Sequence, residues 1–387
     1  MTAAASLGAA CAGFRAVFGR QPAGVWSAPG RVNLIGEHTD YNLGHVLPFA
    51  IDRRTYAAVA LREDGIARVA SALGGEQVAV ELLAVTARTV SGWSAYPLGT
   101  ARELTREAGR ESRQGFDAYF VSDVPVGAGL SSSAAIECAL ALALDELWGT
   151  GLSRQALVAA TCRAENDVVG APTGILDQSA SLLSHADSAL FIDCADGSSE
   201  TVPLGLDQAG LEILVIDTRV EHKHAAGGYR SRRSSCDRAA RLLGVRALRD
   251  VTLAEVEQAR GRLDDETFRR ARHVVTEDAR VLETVEVLRE LRPRGVGPLM
   301  VASHESLRED FEVTVPELDA AVATALAAGA LGARMTGGGF GGSAIALVEK
   351  PAGDRAAAEV RTAFSARGFR EPTVFVATPS DGARRDT

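Results

Sequence analysis

The chain reads as a mixed strand-and-helix protein of two domains, or of one domain with an extension. Three observations predict this. Its 387 residues, 46% of them hydrophobic, exceed what a single core usually supports. Gly115–Val124 alternates Phe116, Ala118 and Phe120 with Asp117 and Tyr119, as a strand does, and the Ala- and Leu-rich run Ala134–Trp148 behind it reads as a mostly buried helix. Leu253–Ala328 is almost all helical periodicity, with strand-like segments before and after it.

Taken in order, Ala10–Gly19 predicts a short amphipathic helix with Cys11, Phe14, Val17 and Phe18 on one side. Short apolar strand pieces from Val25 flank a Pro29-Gly30 turn. Val46–Ile51, Tyr56–Leu61 and Ala67–Ala70 predict strands, with Asp64-Gly65 as a hairpin turn between the last two. Ala101–Arg110 reads as an exposed helix with charged faces. Ser153 caps a helix from Arg154 to about Val168. Pro172-Thr173-Gly174 breaks the chain, and Asp177 falls near the start of the next helix.

Strands follow at Ala189–Asp193 and Leu211–Asp217. The polar, turn-rich Asp196–Asp207 between them is the expected domain boundary, dividing the chain into 1–205 and 206–387. Tyr229–Leu243 reads as a basic helix with a solvated or ion-paired face. The helical stretches Leu253–Arg260, Glu266–Leu291, Pro298–Glu309 and Pro316–Ala327 are separated by proline breaks. Ser343–Val348 and Thr373–Ala377 complete the strands.

Composition excludes several function classes. Net charge is −9 and pI about 5.4, with no basic block, so nucleic acid is not the expected partner. The only lysines are Lys223 and Lys350, so a mechanism that grips phosphate with lysine has few candidates. Cys11, Cys138, Cys162, Cys194 and Cys236 are scattered and form no Cys-x-x-Cys pair, which argues against a disulfide framework or zinc site and suits a reducing compartment. No long uncharged apolar run is present and Met1–Gly13 lacks a basic leader, so no membrane span is expected and cytoplasm is the expected address. Asp193-x-x-Asp196-Gly197 lacks the remaining ligands of a calcium loop. His222-x-His224 lacks an evident third ligand and reads as a mobile polar loop.

The chemistry concentrates in a few stretches. Pro125–Ala135 places Gly127 and Gly129 and the run Ser131-Ser132-Ser133 between a strand and a helix N-terminus. Unpaired first-turn N–H groups, the positive end of the helix dipole and close backbone approach at the glycines make a phosphate cradle. It is not a Walker A loop, which ends in Gly-Lys-Ser/Thr, and Ser132 stands where a dinucleotide fingerprint has its third glycine. Glu37, His38, Asp40, Tyr41 and Asn42 crowd behind a strand and would suit a polyhydroxylated ligand or, equally, a solvated turn. Gly337, Gly339 and Gly342 fit G-x-G-x-x-G, but a strand follows, so this reads as a loop where backbone approaches another surface or ligand.

Assembled in order, Pro29–Asp40, Gly127–Ala135 and Met335–Gly342 resemble the GHMP small-molecule kinases, and Gly30-Arg31-Val32-Asn33-Leu34-Ile35-Gly36-Glu37-His38-Thr39-Asp40-Tyr41 is similar to galactokinases in particular. Gly174–Gln178, Ile192–Cys194, Arg269–Val275 and Ser380–Ala383 extend the likeness over almost the whole chain. The resemblance implies an α+β, two-domain fold, with a ribosomal-S5-like N-terminal domain, a ferredoxin-like C-terminal domain, and substrates between them. It implies ATP-dependent phosphorylation of D-galactose to α-D-galactose 1-phosphate. Asp177 then matches the proposed base and Arg31 its electrostatic partner. Glu37, His38, Thr39, Asp40, Gly174 and Tyr229 match sugar contacts. Gly127, Ala128, Gly129, Leu130, Ser131, Ser132 and Ser133 match the nucleotide loop, and Ser133 and Glu165 match ligands of Mg2+.

Arg31 beside Asp177 would align the carboxylate while lowering its basicity, so proton acceptance and pure orientation both stay open. The alternatives are a non-catalytic galactose and ATP sensor, or a kinase for N-acetylgalactosamine or arabinose. The intact serine loop, Arg31 and Asp177 favour the enzyme. A monomer is expected.

Overall fold

A computed structural model describes residues 3–107, 114–220 and 225–387. The described strands form three sheets. The first has six strands in the order β13-β1-β3-β6-β4-β5, comprising β1 (Gly24–Asn33), β3 (Pro48–Leu61), β4 (Ile66–Ser71), β5 (Val78–Glu81), β6 (Phe116–Ser122) and β13 (Arg384–Arg385). A small sheet joins β2 (His45–Val46), β7 (Ser188–Asp193) and β8 (Ser198–Pro203). The third is antiparallel, in the order β10-β11-β9-β12, from β9 (Leu211–Asp217), β10 (Gly332–Thr336), β11 (Ser343–Glu349) and β12 (Thr373–Ala377). This second-third-first-fourth arrangement is the split βαβ pattern of ferredoxin-like sheets.

Helices α1 (Ala3–Phe18), α2 (Ala95–Glu107), α3 (Ser132–Trp148), α4 (Arg154–Arg163) and α5 (Leu176–Leu183) accompany the first sheet. Between β9 and β10 come α6 (Ala225–Leu243), α7 (Leu253–Gln258), α8 (Asp265–Arg289), α9 (Val296–Ser306) and α10 (Pro316–Ala327), and α11 (Gly353–Ala366) crosses from β11 to β12. No described helix is long and apolar enough to cross a membrane.

Period-two alternation explains the layering. Leu211, Ile213 and Val215 of β9, with Ile345 and Leu347 of β11, face a cluster shared with Val32, Phe49 and Ile51 of the first sheet. Leu214, Ile216, Ala344, Ala346 and Val348 face the opposite way, into the core under the C-terminal helices. The two halves of the chain thus share one apolar seam. α3 is buried on nearly every side from Ala134 to Leu144, as a helix apolar all round must be.

Several local expectations change. The Pro29-Gly30 turn is a bulge inside one continuous strand, β1. The Asp64-Gly65 hairpin does not form, because β6 inserts between β3 and β4 and pairs parallel with β4. The helix read as exposed is mostly buried, for α2 packs against α3 and α4, and its Glu103 is covered by Arg106 and Arg163. Part of the polar stretch Asp196–Asp207 is strand β8, paired with β7. β5, β13 and α11 carry no strong pattern in the sequence and add to the expected elements. His222 and His224 lie outside the described residues, as does Arg110.

Candidate active site

The strand-loop-helix at the chain's centre positions the first wall. Beyond β6 the loop turns through Gly127 and Gly129, both in the left-handed backbone region, and Ser131 enters α3 in the same conformation. Ser131 caps no N–H with its side chain, and its hydroxyl is buried without a partner among the described residues. The first-turn amides of α3 thus lack a Ser131 capping oxygen, and Ser131, Ser132 and Ser133 line the cavity. The glycine loop of β10–β11 closes against this segment. A Cβ on Gly337 would sit 2.9 Å from the Gly129 carbonyl oxygen, so only glycine lets the two backbones meet.

Arg31 emerges from the β1 bulge and ties three parts together. One guanidinium nitrogen lies 2.6 Å from the Asp177 carboxylate, another donates to the Gly129 carbonyl at 2.6 Å, and the Arg31 backbone N–H donates to Leu130. Asp177 sits in the first turn of α5, as expected from the break at Gly174. The pair puts a carboxylate beside the glycine-serine loop with the charge that would align it.

After β1 the chain folds into the tight segment 36–43, with His38 and Leu43 in left-handed backbone. Burial holds the His38 ring neutral, with its pKa lowered to about 3 and the nearby His273 and Arg232 acting the same way. His38 Nδ1 lies 3.0 Å from the Tyr41 hydroxyl, and its ring packs beside Tyr229. The Asp40 carboxyl is pushed up to about 6, chiefly by burial. The charge of Asp177 adds to this, while the Tyr41 amide, Arg233 and Arg31 oppose it. Gly174 lies against Asp40, leaving no room for a side chain.

Glu165 stands on a π-helical segment, Ala164–Val169, that continues α4. One of its oxygens lies 3.4 Å from the Ser133 hydroxyl, and the other accepts from Thr173 Oγ1 at 3.1 Å and Gln178 Nε2 at 2.6 Å. Burial raises its pKa to about 7, helped by the Asp177 charge and opposed by those hydrogen bonds.

One cavity of about 530 Å³ is lined by Arg31, Glu37, His38, Asp40, Gly127, Gly129, Leu130, Ser131, Ser132, Ser133, Glu165, Gly174, Asp177 and Tyr229. Two expected residues stand behind its wall. Thr39 spends its hydroxyl on the carbonyls of Gly36 and His45, and Ala128 is buried with its carbonyl accepting from Ser343. Glu37 reaches the wall, yet its carboxylate is engaged by buried Arg334 and by the Gly337 N–H at 2.8 Å. Sequence reasoning missed the apolar part of the lining: Leu73, Trp93, Tyr96, Val126 and Ile136. The signal is present in the sequence: Trp93 just before α2 and Tyr96 in its first turn are two of the few aromatics, and Val126 is an exposed aliphatic in the loop after β6.

The chain matches the galactokinase galactose-binding signature over residues 12–61, the GHMP kinase N-terminal domain over 95–185 and the GHMP kinase C-terminal domain over 284–366. It is 51% identical to a galactokinase of Streptomyces coelicolor over 375 residues, covering 96% of each chain. It is 43% identical to one of Mycobacterium bovis, covering 92% of this chain and 98% of that one. Its fold is similar to that of Lactococcus lactis galactokinase, solved as a complex with galactose, at a TM-score of 0.91 and 32% identity over 97% of this chain and 98% of that one. Mevalonate kinase of Methanococcus jannaschii, at 16% identity and a TM-score of 0.65 over 92% of this chain and 98% of that one, shares the fold alone. With a relative 51% identical across almost its full length, and with kinase domains matched on both sides of the cavity, the chain belongs to the galactokinase family.

Proposed function

We propose that this protein transfers the γ-phosphoryl group of ATP to the anomeric hydroxyl of D-galactose, releasing α-D-galactose 1-phosphate and ADP. The observation that carries the reading is the 2.6 Å Arg31–Asp177 pair, set in one cavity between the phosphate loop and the Glu37–Asp40 segment. Phosphoryl transfer needs mainly positioning and charge stabilisation. Asp177 orients the anomeric hydroxyl and receives its proton as the new O–P bond forms. Arg31 holds that carboxylate and offers positive charge to the transferring group. The backbone amides of Gly127–Ser133 take the place of a lysine. His38, Asp40, Gly174 and Tyr229 bind the sugar, and the apolar lining at Trp93 and Tyr96 receives the base.

A magnesium ion fits the donor set present. The Ser133 hydroxyl and one Glu165 oxygen lie 3.4 Å apart at the wall of the same cavity, hard oxygen donors of the kind Mg2+ takes beside nucleotide phosphates. When bound, such an ion neutralises charge on the β- and γ-phosphates.

The test is ADP release with ATP and Mg2+ over galactose, glucose, N-acetylgalactosamine, arabinose and mevalonate. Turnover on galactose above the others is expected. Failure to turn over galactose, with galactose still raising the melting temperature in the presence of ATP, would replace the reading with a binding-only sensor.

A further inference from the structure

We propose that Gln178 is a positioning residue that clamps Glu165, with Glu137 as its anchor, so that a single Glu165 oxygen faces the metal and nucleotide side of the cavity. The inference rests on the reading of Glu165 and Ser133 as metal ligands. Gln178 follows Asp177 in the first turn of α5, and consecutive side chains leave a helix about 100° apart. Asp177 points to Arg31 and the cavity, whereas the Gln178 side chain is wholly buried on the side of α3. Its Nε2 lies 2.6 Å from Glu165 Oε2 and 3.0 Å from Glu137 Oε2.

An amide nitrogen carries two hydrogens, one for each carboxyl group. With Nε2 toward both acids, each carboxyl oxygen accepts one of those hydrogens. Glu137, in the middle of α3, is fully buried and receives no other hydrogen bond among the described residues. The amide therefore spans from the phosphate-loop helix to the π-helical segment that carries Glu165. With Glu165 Oε2 taken by Gln178 and Thr173, only Oε1 is turned toward Ser133. The same helical turn thus carries the candidate base on one side and the clamp of the candidate metal ligand on the other.

The experiment is a Mn2+ titration of the protein with ADP, following free Mn2+ by electron paramagnetic resonance, for wild type, Glu165→Ala, Gln178→Met and Glu137→Gln. Galactose affinity and melting temperature are measured on each. Gln178→Met should weaken Mn2+ binding about 10-fold or more, as removal of outer-shell partners does, and leave galactose affinity unchanged. Glu137→Gln keeps an acceptor oxygen for the amide and should bind Mn2+ nearly as wild type does. A folded Gln178→Met protein with wild-type Mn2+ affinity, beside a weakened Glu165→Ala, would overturn the clamp. Wild-type affinity in Glu165→Ala would instead overturn the ligand reading beneath it. Should Gln178→Met melt early, Gln178→Asn, one methylene too short to span both acids, reports the same loss or its absence.

Discussion

Substitution of Gly174 by alanine isolates the side of the site proposed to take the sugar. Gly174 does not adopt left-handed backbone, so alanine meets no torsional strain there. The added Cβ would lie 2.1 Å from Asp40 Oδ2 and 2.5 Å from its Cγ, contacts that no structure tolerates. One of the two must move. The Gly174 segment is held on several sides, since Arg233 donates to the Pro172 carbonyl at 2.8 Å, Asn166 to that of Thr173 at 3.2 Å and the Cys162 thiol to that of Gly174 at 3.3 Å. The Asp40 side chain is held by the Tyr41 amide and otherwise turns freely, so it is the partner that swings away from the proposed sugar position. Loss of one charge-assisted hydrogen bond costs about 1.5–3 kcal/mol, roughly 10- to 150-fold in galactose affinity. Calorimetric galactose binding should show this, while the KM for ATP stays near wild type. In an Asp40→Ala background the same Gly174→Ala change should cost little more, because the group it displaces is gone. Unchanged galactose affinity in Gly174→Ala, or full additivity in the double variant, would refute the reasoning.

Asp177→Asn keeps the shape but removes the proton acceptor, so kcat should collapse while galactose binding by calorimetry stays measurable; near-normal turnover would reject the role. Arg334 is wholly buried between the two halves, paired with Glu37 and with Glu277 at 3.3 Å and donating to Ser303 at 3.0 Å. Arg334→Met leaves the buried Glu37 carboxylate without its cation, whereas Glu277 keeps Arg280 at 2.8 Å, and should cost about 3–5 kcal/mol in urea unfolding, an unchanged midpoint being the contrary result. Glu165 titrates near 7 in the fold against an ordinary 4.5, so folding takes up a proton between those values. Its destabilising effect is absent below about pH 4.5, grows as pH rises and is complete above about 7, reaching on the order of 3 kcal/mol. Glu165→Gln should therefore gain stability over wild type at pH 8 and gain little at pH 5, and parallel stability curves would contradict the shift.

Local patterns carried well where chemistry and backbone conformation are written in consecutive residues. The phosphate loop and α3, the helices from Leu253 to Ala327 and the strand after Gly342 all needed only near neighbours. Reading failed where partners are distant. Asp64-Gly65 is sound turn chemistry, yet pairing with β6, some fifty residues on, outcompeted the hairpin. The charged pattern of α2 suggested exposure because its ion partner Arg163 lies on another helix. Gln178 carries no local signal of its contacts, since nothing nearby announces the acids at 137 and 165 that meet its amide.

The residue types on hand and the strand-loop-helix that suits an anion are legible locally, because glycine torsions, serine hydroxyls and unpaired helix amides act over a few residues. It takes long-range packing to bring Arg31 to Asp177 and Glu165 to Ser133. The same packing turns Thr39 and Ala128 away from the cavity and brings Trp93 and Tyr96 to its apolar lining. Those outcomes follow from how sheets register and helices pack across the shared seam, contacts between residues tens to hundreds of positions apart that no local pattern encodes.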